Sequence, residues 1–533
     1  MNALDYIIIL IYLVFFLGMG FFFKENKSSG DYFLGGRNMG WGPLSLSTMA
    51  TQLSAISFIS APAFVGLKAG GGLKWLTYEF GVPLAMAFLM IAVIPPLHKS
   101  GIVSVYAYLE KRFDASSRLL ISIVFQISRS VATGVMVYTM ALILQATIGV
   151  DFWISILLIG VITLIYSYQG GMKAVIWGDV IQMIILVLGI IICLFFALYE
   201  LGGVDSFLSQ LDRERLTVVH FDKWGINNAE GNDAFGFWPM LIGGFFLYAS
   251  YYGTDQTQSQ RLLSARDLPT IKKLLFANAF FRFPITLLYC IMGLALGTLF
   301  YSVGTFETAL NEVYQANINS LAGKKADLLV PVFIIKYLPN GIIGILIVSI
   351  MSAAMSSLSS TVNSLSAVTM EDFVKRFRPN LSDQQYVFGS RMLSLFWGLV
   401  CLFFAFFAGA IEGTVIEVIN KIGSVFYGPI LGTFILAIMT KKTSAQAANI
   451  GILSGVFFNI FLWLYVPSIF WFWWNAIGCL ITIGVGLMWT NIFPQKQSQV
   501  QPLKYYGGWK EFILLFGFFL VILMISLLIP TLV

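Results

Sequence analysis

Residues 352–364 read SAAMSSLSSTVNS and follow directly on GIIGILIVSIM at 341–351. The earlier stretch is apolar enough for a bilayer; the later one holds six Ser, one Thr and one Asn where a lipid-facing helix has Leu or Val. A helix that polar inside a membrane faces protein, water or an ion, because hydrocarbon offers a hydroxyl no partner. Spacing of i, i+3 and i+4 puts Ala353, Ser356, Ser357, Ser360 and Ser364 on one face. Such a stripe is either an oxygen lining for a small cation or a set of small residues that pack helices closely and bond back to their own carbonyls.

Composition sets the class. The chain has 533 residues, 58% hydrophobic and 11% charged, which makes it an all-α polytopic membrane protein with no soluble domain left over. The four cysteines, Cys193, Cys290, Cys401 and Cys479, lie in apolar spans and suggest neither disulfides nor a thiolate metal site. With His98 and His220 alone, zinc or histidine-based catalysis has little to work with, and the chain reads as no enzyme. The net charge of +6 belongs to loops facing one side and does not argue for nucleic acid; no obligate protein partner is evident.

Reading about 20 apolar residues per crossing predicts about fourteen spans: 5–23, 45–67, 75–98, 117–147, 152–169, 172–199, 235–262, 272–302, 341–364, 386–411, 414–440, 444–466, 470–492 and 511–532. Asp5 precedes the first, and no basic segment does, so it reads as an anchor and not a signal peptide. Counting loop Lys and Arg with the N-terminus outside gives nineteen inside against eight outside (Lys68, Lys74, Arg213, Arg215, Lys223, Lys324, Lys325, Lys336), which favours both termini outside a bacterial-type plasma membrane.

Two spans are irregular. LSLSTMATQLSAISFISAPAFVG (44–66) carries Ser, Thr, Gln and Pro62 through its middle, and FFLYASYYGTDQTQSQR (245–261) begins apolar and turns fully polar. Each opens a set of five spans. A broken first helix at corresponding places in two halves points to an inverted-repeat transporter with a midplane site. One membrane domain follows, with repeats at 41–199 and 235–440, a peripheral first helix at 5–23 and three peripheral helices at 444–532.

Where the second span unwinds, the carbonyls of Ala50 and Leu53 lose their i+4 partners, and a sodium ion is one substitute. Ala353 carbonyl with the Ser356 and Ser357 hydroxyls would complete about five oxygens, typical of a hard cation. Asp179 reads as a solvated end residue or as a ligand, with Ser359 and Ser360, of a second cation. Glu79 and Arg129 sit in mid-helix and each needs a partner: they pair with one another, or Arg129 offers a donor fork to a solute carboxylate and Glu79 accepts from solute hydroxyls. Tyr251 and Tyr252 flank the second break, where a ring would cover a solute or simply pack. Asn420 suits a hydroxyl ligand, while Lys421 snorkels or pairs with Glu417 one turn earlier.

Taken together, DYFLGGR (31–37), TMATQLSAISF (48–58), YLEKRFD (108–114), YSYQGGMKAVIWGDVIQ (166–182), GTDQ with QR (253–261), AAMSSLSSTVNS (353–364) and GPILGTFILAIMTKK (428–442) resemble the sodium/solute symporter family over most of residues 1–445. The resemblance implies a leucine-transporter-like five-plus-five fold, sodium as the coupled ion and alternating access. It implies a main sodium site at Ala50, Leu53, Ala353, Ser356 and Ser357, and a second at Asp179 with Ser356, Ser359 and Ser360. For the solute it implies Ser54, Ser57 and Arg129, as in sialic acid carriers, where the arginine meets the carboxylate. Gln52 departs from that pattern; Glu79, Tyr251 and Asn420 are similar to the sugar carriers, whose next-helix lysine is Phe281 here, beside Arg282.

The expected function is a sodium-coupled symporter importing a small polar organic solute, a sialic acid or other carboxylated sugar, with a neutral sugar as the alternative. A cation channel would show a filter loop or charged rings at a pore instead of paired broken helices.

Overall fold

The computed structural model describes residues 1–23, 29–53, 55–227, 233–317, 324–407, 414–494 and 508–532, and among them the regular elements are all helices, with no strand. The long helices are α1 (Ala3–Phe22), α2 (Trp41–Gln52), α3 (Ala55–Gly66), α4 (Leu73–Lys99), α5 (Ala115–Ile148), α6 (Phe152–Glu200), α7 (Phe237–Gly253), α8 (Gln256–Leu263), α9 (Leu268–Ser302), α10 (Ile342–Val368), α11 (Asp383–Phe407), α12 (Val415–Met439), α13 (Ala445–Tyr465), α14 (Phe472–Ile492) and α15 (Trp509–Leu532). Among the described residues eleven helices are long and apolar enough to cross a membrane, twelve if α2 and α3 form one bent span, so fourteen is an approximate count. The difference has a physical origin. The sixth helix runs 49 residues, too long for one crossing, and its backbone leaves helical geometry at Gly171 (φ 55°, ψ −150°). A side chain there would meet the Tyr32 carbonyl at 2.7 Å, so only glycine serves. The other irregular pair, α7 and α8, is interrupted at Thr254 and Asp255.

The serine-rich α10 is the hub. It packs against α1, α2, α3, α5, α6, α8 and α11, and 83% of its most apolar window is buried, against 28% for α1 and 22% for α15, which are therefore peripheral. Short acidic side chains fix the helix starts by accepting amide hydrogens: Asp114 for α5, Asp151 for α6, Asp255 for α8 and Asp267 for α9. Asp5 does this twice, boxing with Asn2 at the start of α1 and accepting from the Gly341 and Gly344 amides at 2.7 and 2.9 Å, which ties α1 to the start of α10. Close approach of α3 and α9 depends on small residues, since a Cβ on Gly293 would stand 2.7 Å from the Pro62 backbone. The four cysteines are free and buried.

Candidate functional site

The second span breaks where its polar residues cluster, with Pro62 lying inside α3 and not at the break. The Leu53 amide closes α2 on the Met49 carbonyl at 2.7 Å, and Leu53 itself then leaves helical geometry (φ −85°, ψ 71°). The two halves, Trp41–Gln52 and Ile56–Gly66, meet at 53°. The central helix lies against both, and Thr51 Oγ1 meets Ser360 Oγ at 3.3 Å across the seam. Ser357 Oγ donates to the Ala353 carbonyl at 3.3 Å, which puts two of the expected sodium ligands side by side.

A cavity of about 120 Å³ opens beside this seam, with Gln52, Ser57, Arg129, Tyr251, Ser357 and Asn420 in its wall. Six helices carrying predicted residues, α2, α3, α5, α7, α10 and α12, thus converge on one space. Ser54 lies outside the described residues. Arg282, Tyr427, Thr133 and Thr361 also line it and were not singled out by the sequence as solute contacts. Tyr252 turns away, its hydroxyl donating to Asn278 at 3.3 Å.

Three buried ion pairs set the electrostatics. Glu79 and Arg129 do not pair with one another, because each has a nearer partner contributed by a distant segment. Arg129 Nε donates to Asp255 Oδ2 at 2.6 Å, and the guanidinium carbon lies 4.6 Å from the Tyr251 ring centre and 5.4 Å from that of Tyr427. Glu79 receives Arg282 Nε on both oxygens at 3.1 and 3.0 Å and Thr286 Oγ1 at 3.0 Å. Both of its oxygens accept from protein donors, and it is Arg282, not Glu79, that reaches the cavity wall.

The third pair corrects the reading of Asp179 as a solvated end. It is fully buried, accepting from Ser47 Oγ, Ser356 Oγ and Arg261 Nη2, each at 2.6 Å. Arg261 also donates to Ser360 Oγ at 2.5 Å, and Ser359 Oγ donates to the Ser356 carbonyl at 3.0 Å. The four residues expected at a second cation site are together, with a guanidinium already among them. Ser356 consequently faces Asp179, while Ser357 faces the cavity.

Lys421 also departs from expectation. Glu417 forms its ion pair with Lys68 and accepts from the Thr414 amide, and Lys421 lies 5.7 and 5.9 Å from the Trp463 and Trp474 rings. Asn420, at the cavity, donates to the Ile416 carbonyl at 2.7 Å.

Residues 32–455 match the model of the Sodium:solute symporter family. The chain is 28% identical over 515 residues to the sodium-coupled monocarboxylate transporter 2 of Bos taurus, covering 94% of this chain and 75% of that one. It is 28% identical over 478 residues to the human sodium/iodide cotransporter, covering 88% and 71%. Among solved structures, a substrate-bound, outward-open Na+-coupled sialic acid symporter superposes with a TM-score of 0.80 at 25% identity, covering 94% of this chain and all of that one. The fold is of the leucine-transporter type.

Proposed function

The chain belongs to the sodium:solute symporter family, with sodium as its coupling ion, and from that premise we propose that its solute is a monocarboxylate, a sialic acid or other carboxylated sugar being the leading case. One observation carries this reading: the described cavity wall presents two guanidinium groups, Arg129 and Arg282, and no carboxylate. Their counter-ions, Asp255 and Glu79, stand behind the wall. The named relatives support it, since a monocarboxylate, iodide and a sialic acid are all singly charged anions.

Charge explains why sodium and such an anion travel together. Each arginine is already balanced by its own carboxylate, so the cavity is neutral until sodium adds one positive charge at Ala50, Leu53, Ala353, Ser356 and Ser357. At a separation of about 8 Å and an effective dielectric of about 20, ion and carboxylate attract by about 2 kcal/mol. That is of the size of ordinary coupling energies, and linkage makes it reciprocal. Sodium binds first in an outward-facing state, the anion docks on Arg129, and rocking of the repeats 41–199 and 235–440 releases both inside a bacterial-type plasma membrane, with both termini outside.

Neutral sugar uptake is the second reading, favoured by the Gln52 and Asn420 amides in the same wall. Uptake into proteoliposomes separates the two. Arg129→Ala abolishes sodium-driven entry of a carboxylated solute; unchanged entry of the acid, or glucose uptake indifferent to the substitution, removes the carboxylate reading.

A further inference from the structure

Arg282 is held in place by a set of partners that leaves one of its nitrogens over. Nε is taken by both Glu79 oxygens, at 3.1 and 3.0 Å, and Nη2 donates to the Tyr78 and Tyr248 hydroxyls at 3.2 and 3.4 Å. Nη1 is buried with no protein partner among the described residues, on a residue only 1% exposed that lines the cavity. A buried donor left unpaired is costly, and more so when it is charged, so a position built this firmly around an open N–H is built for an acceptor that arrives with the solute. In the same wall, Gln52 Oε1 is also buried without a protein partner and awaits a donor.

Charge identifies the acceptor. Glu79 neutralises Arg282 and Asp255 neutralises Arg129, so sodium supplies the single uncompensated positive charge and the solute's one carboxylate cancels it. A second carboxylate at Arg282 would stand in a low-dielectric site with nothing to balance it. A hydroxyl or carbonyl oxygen satisfies Nη1 without that penalty, and a hydroxyl can also donate to Gln52 Oε1. The two arginines are set against different aromatic groups, Arg129 over Tyr251 and Tyr427 and Arg282 beside Tyr248, which stacks on Tyr78 at 5.3 Å. Both arginines line the same cavity, so an acid held at Arg129 can meet Arg282 through an oxygen carried elsewhere on the same molecule.

We infer that Arg282 Nη1 is a second recognition point, which selects monocarboxylates carrying uncharged oxygen on their tail, the sugar acids, over short unsubstituted acids and over dicarboxylates. This rests on the carboxylate reading above and narrows it.

The test is a melting-temperature titration of the full-length purified protein in sodium with N-acetylneuraminate, gluconate, propionate and glutarate. The wild type binds at least one of the two sugar acids about 10-fold or more tighter than propionate and glutarate, as expected of a site built to hydrogen-bond a solute oxygen. In Arg282→Lys, which keeps the charge facing Glu79, and in the neutral pair Glu79→Gln with Arg282→Met, the ratio of sugar acid to propionate affinity falls toward one. A wild-type ratio near one, or a ratio that both variants leave in place, overturns the assignment of Arg282 while the carboxylate reading stands. Binding of no carboxylate by the wild type overturns both.

Discussion

Arg261 Nη2 lies 2.6 Å from Asp179 Oδ2, and both side chains are closed off from solvent between α2, α6, α8 and α10. The pair is neutral and its oxygens are engaged, so it offers a second cation little electrostatic gain. Asp179→Asn leaves the guanidinium buried without a counter-charge, and the expected loss is about 3–5 kcal/mol of stability. Asp179→Asn combined with Arg261→Met restores much of it. Melting temperatures of the two variants check this, and a single variant as stable as the wild type contradicts it. The same geometry predicts sodium activation of uptake with a Hill coefficient near one.

Much of this was legible from composition along single helices. Ser, Thr and Gln inside an apolar span marked the break before Ser54, and the polar run at 253–261 marked the second break. Pairings between segments were not legible, because periodicity relates residues only within one helix. Glu79 and Arg282 are 203 positions apart, and Arg129 and Asp255 are 126 apart. Lys421 and Glu417 have the right spacing for a helical pair, yet Lys68, arriving from the end of α3, takes the carboxylate. Asp179 looked like a solvated helix end because the turn at Gly171 puts it only two helical turns from a loop in sequence, while three other helices cover it in space.

Asp372 joins three segments at one end of the bundle. It accepts from Ser104 Oγ at 2.8 Å, Ser122 Oγ at 2.5 Å and Arg118 Nε at 2.8 Å, and Arg118 also reaches Glu110 at 2.7 Å. Nearby, Arg112 donates to the Ala437 and Thr440 carbonyls at 3.1 and 2.7 Å, covering the end of α12. A conformational change that parts these segments breaks these bonds. Arg118→Ala shifts the population toward the parted state, so a cysteine at Ser364, introduced after the four native cysteines are replaced, reacts with a thiol reagent about 10-fold faster, which corresponds to about 1.4 kcal/mol. Equal rates would sink the latch.

Asp327 ties the start of α12 in place, its Oδ2 accepting from the Val415 amide at 3.2 Å while the Ile416 amide donates to Ser60 Oγ at 3.1 Å. It lies outside the membrane-spanning helices. Burial pushes its carboxyl from 3.8 up to about 6, against the hydrogen bonds from Ser60 and Val415; Glu417 adds to the rise and Lys324 opposes it. A raised acid binds its proton more tightly in the folded state, so its contribution is full below about pH 4 and is lost as pH climbs through about 6. The loss amounts to about 3 kcal/mol. Asp327→Asn matches the wild type at pH 4 and melts higher at pH 7; a difference that does not change with pH contradicts the sign.

Sodium in the seam between the broken second span and α10 should strengthen the hold of Arg129 on a carboxylate. The direct measurement is the affinity of the purified protein for the proposed carboxylate solute in sodium and in potassium, for the wild type and for Ser357→Ala. Sodium should tighten wild-type binding by about 5- to 150-fold, the range of ordinary coupling energies, and Ser357→Ala should erase most of that gain. Equal affinity in the two salts, or a Ser357→Ala protein that keeps the full sodium effect, would contradict it.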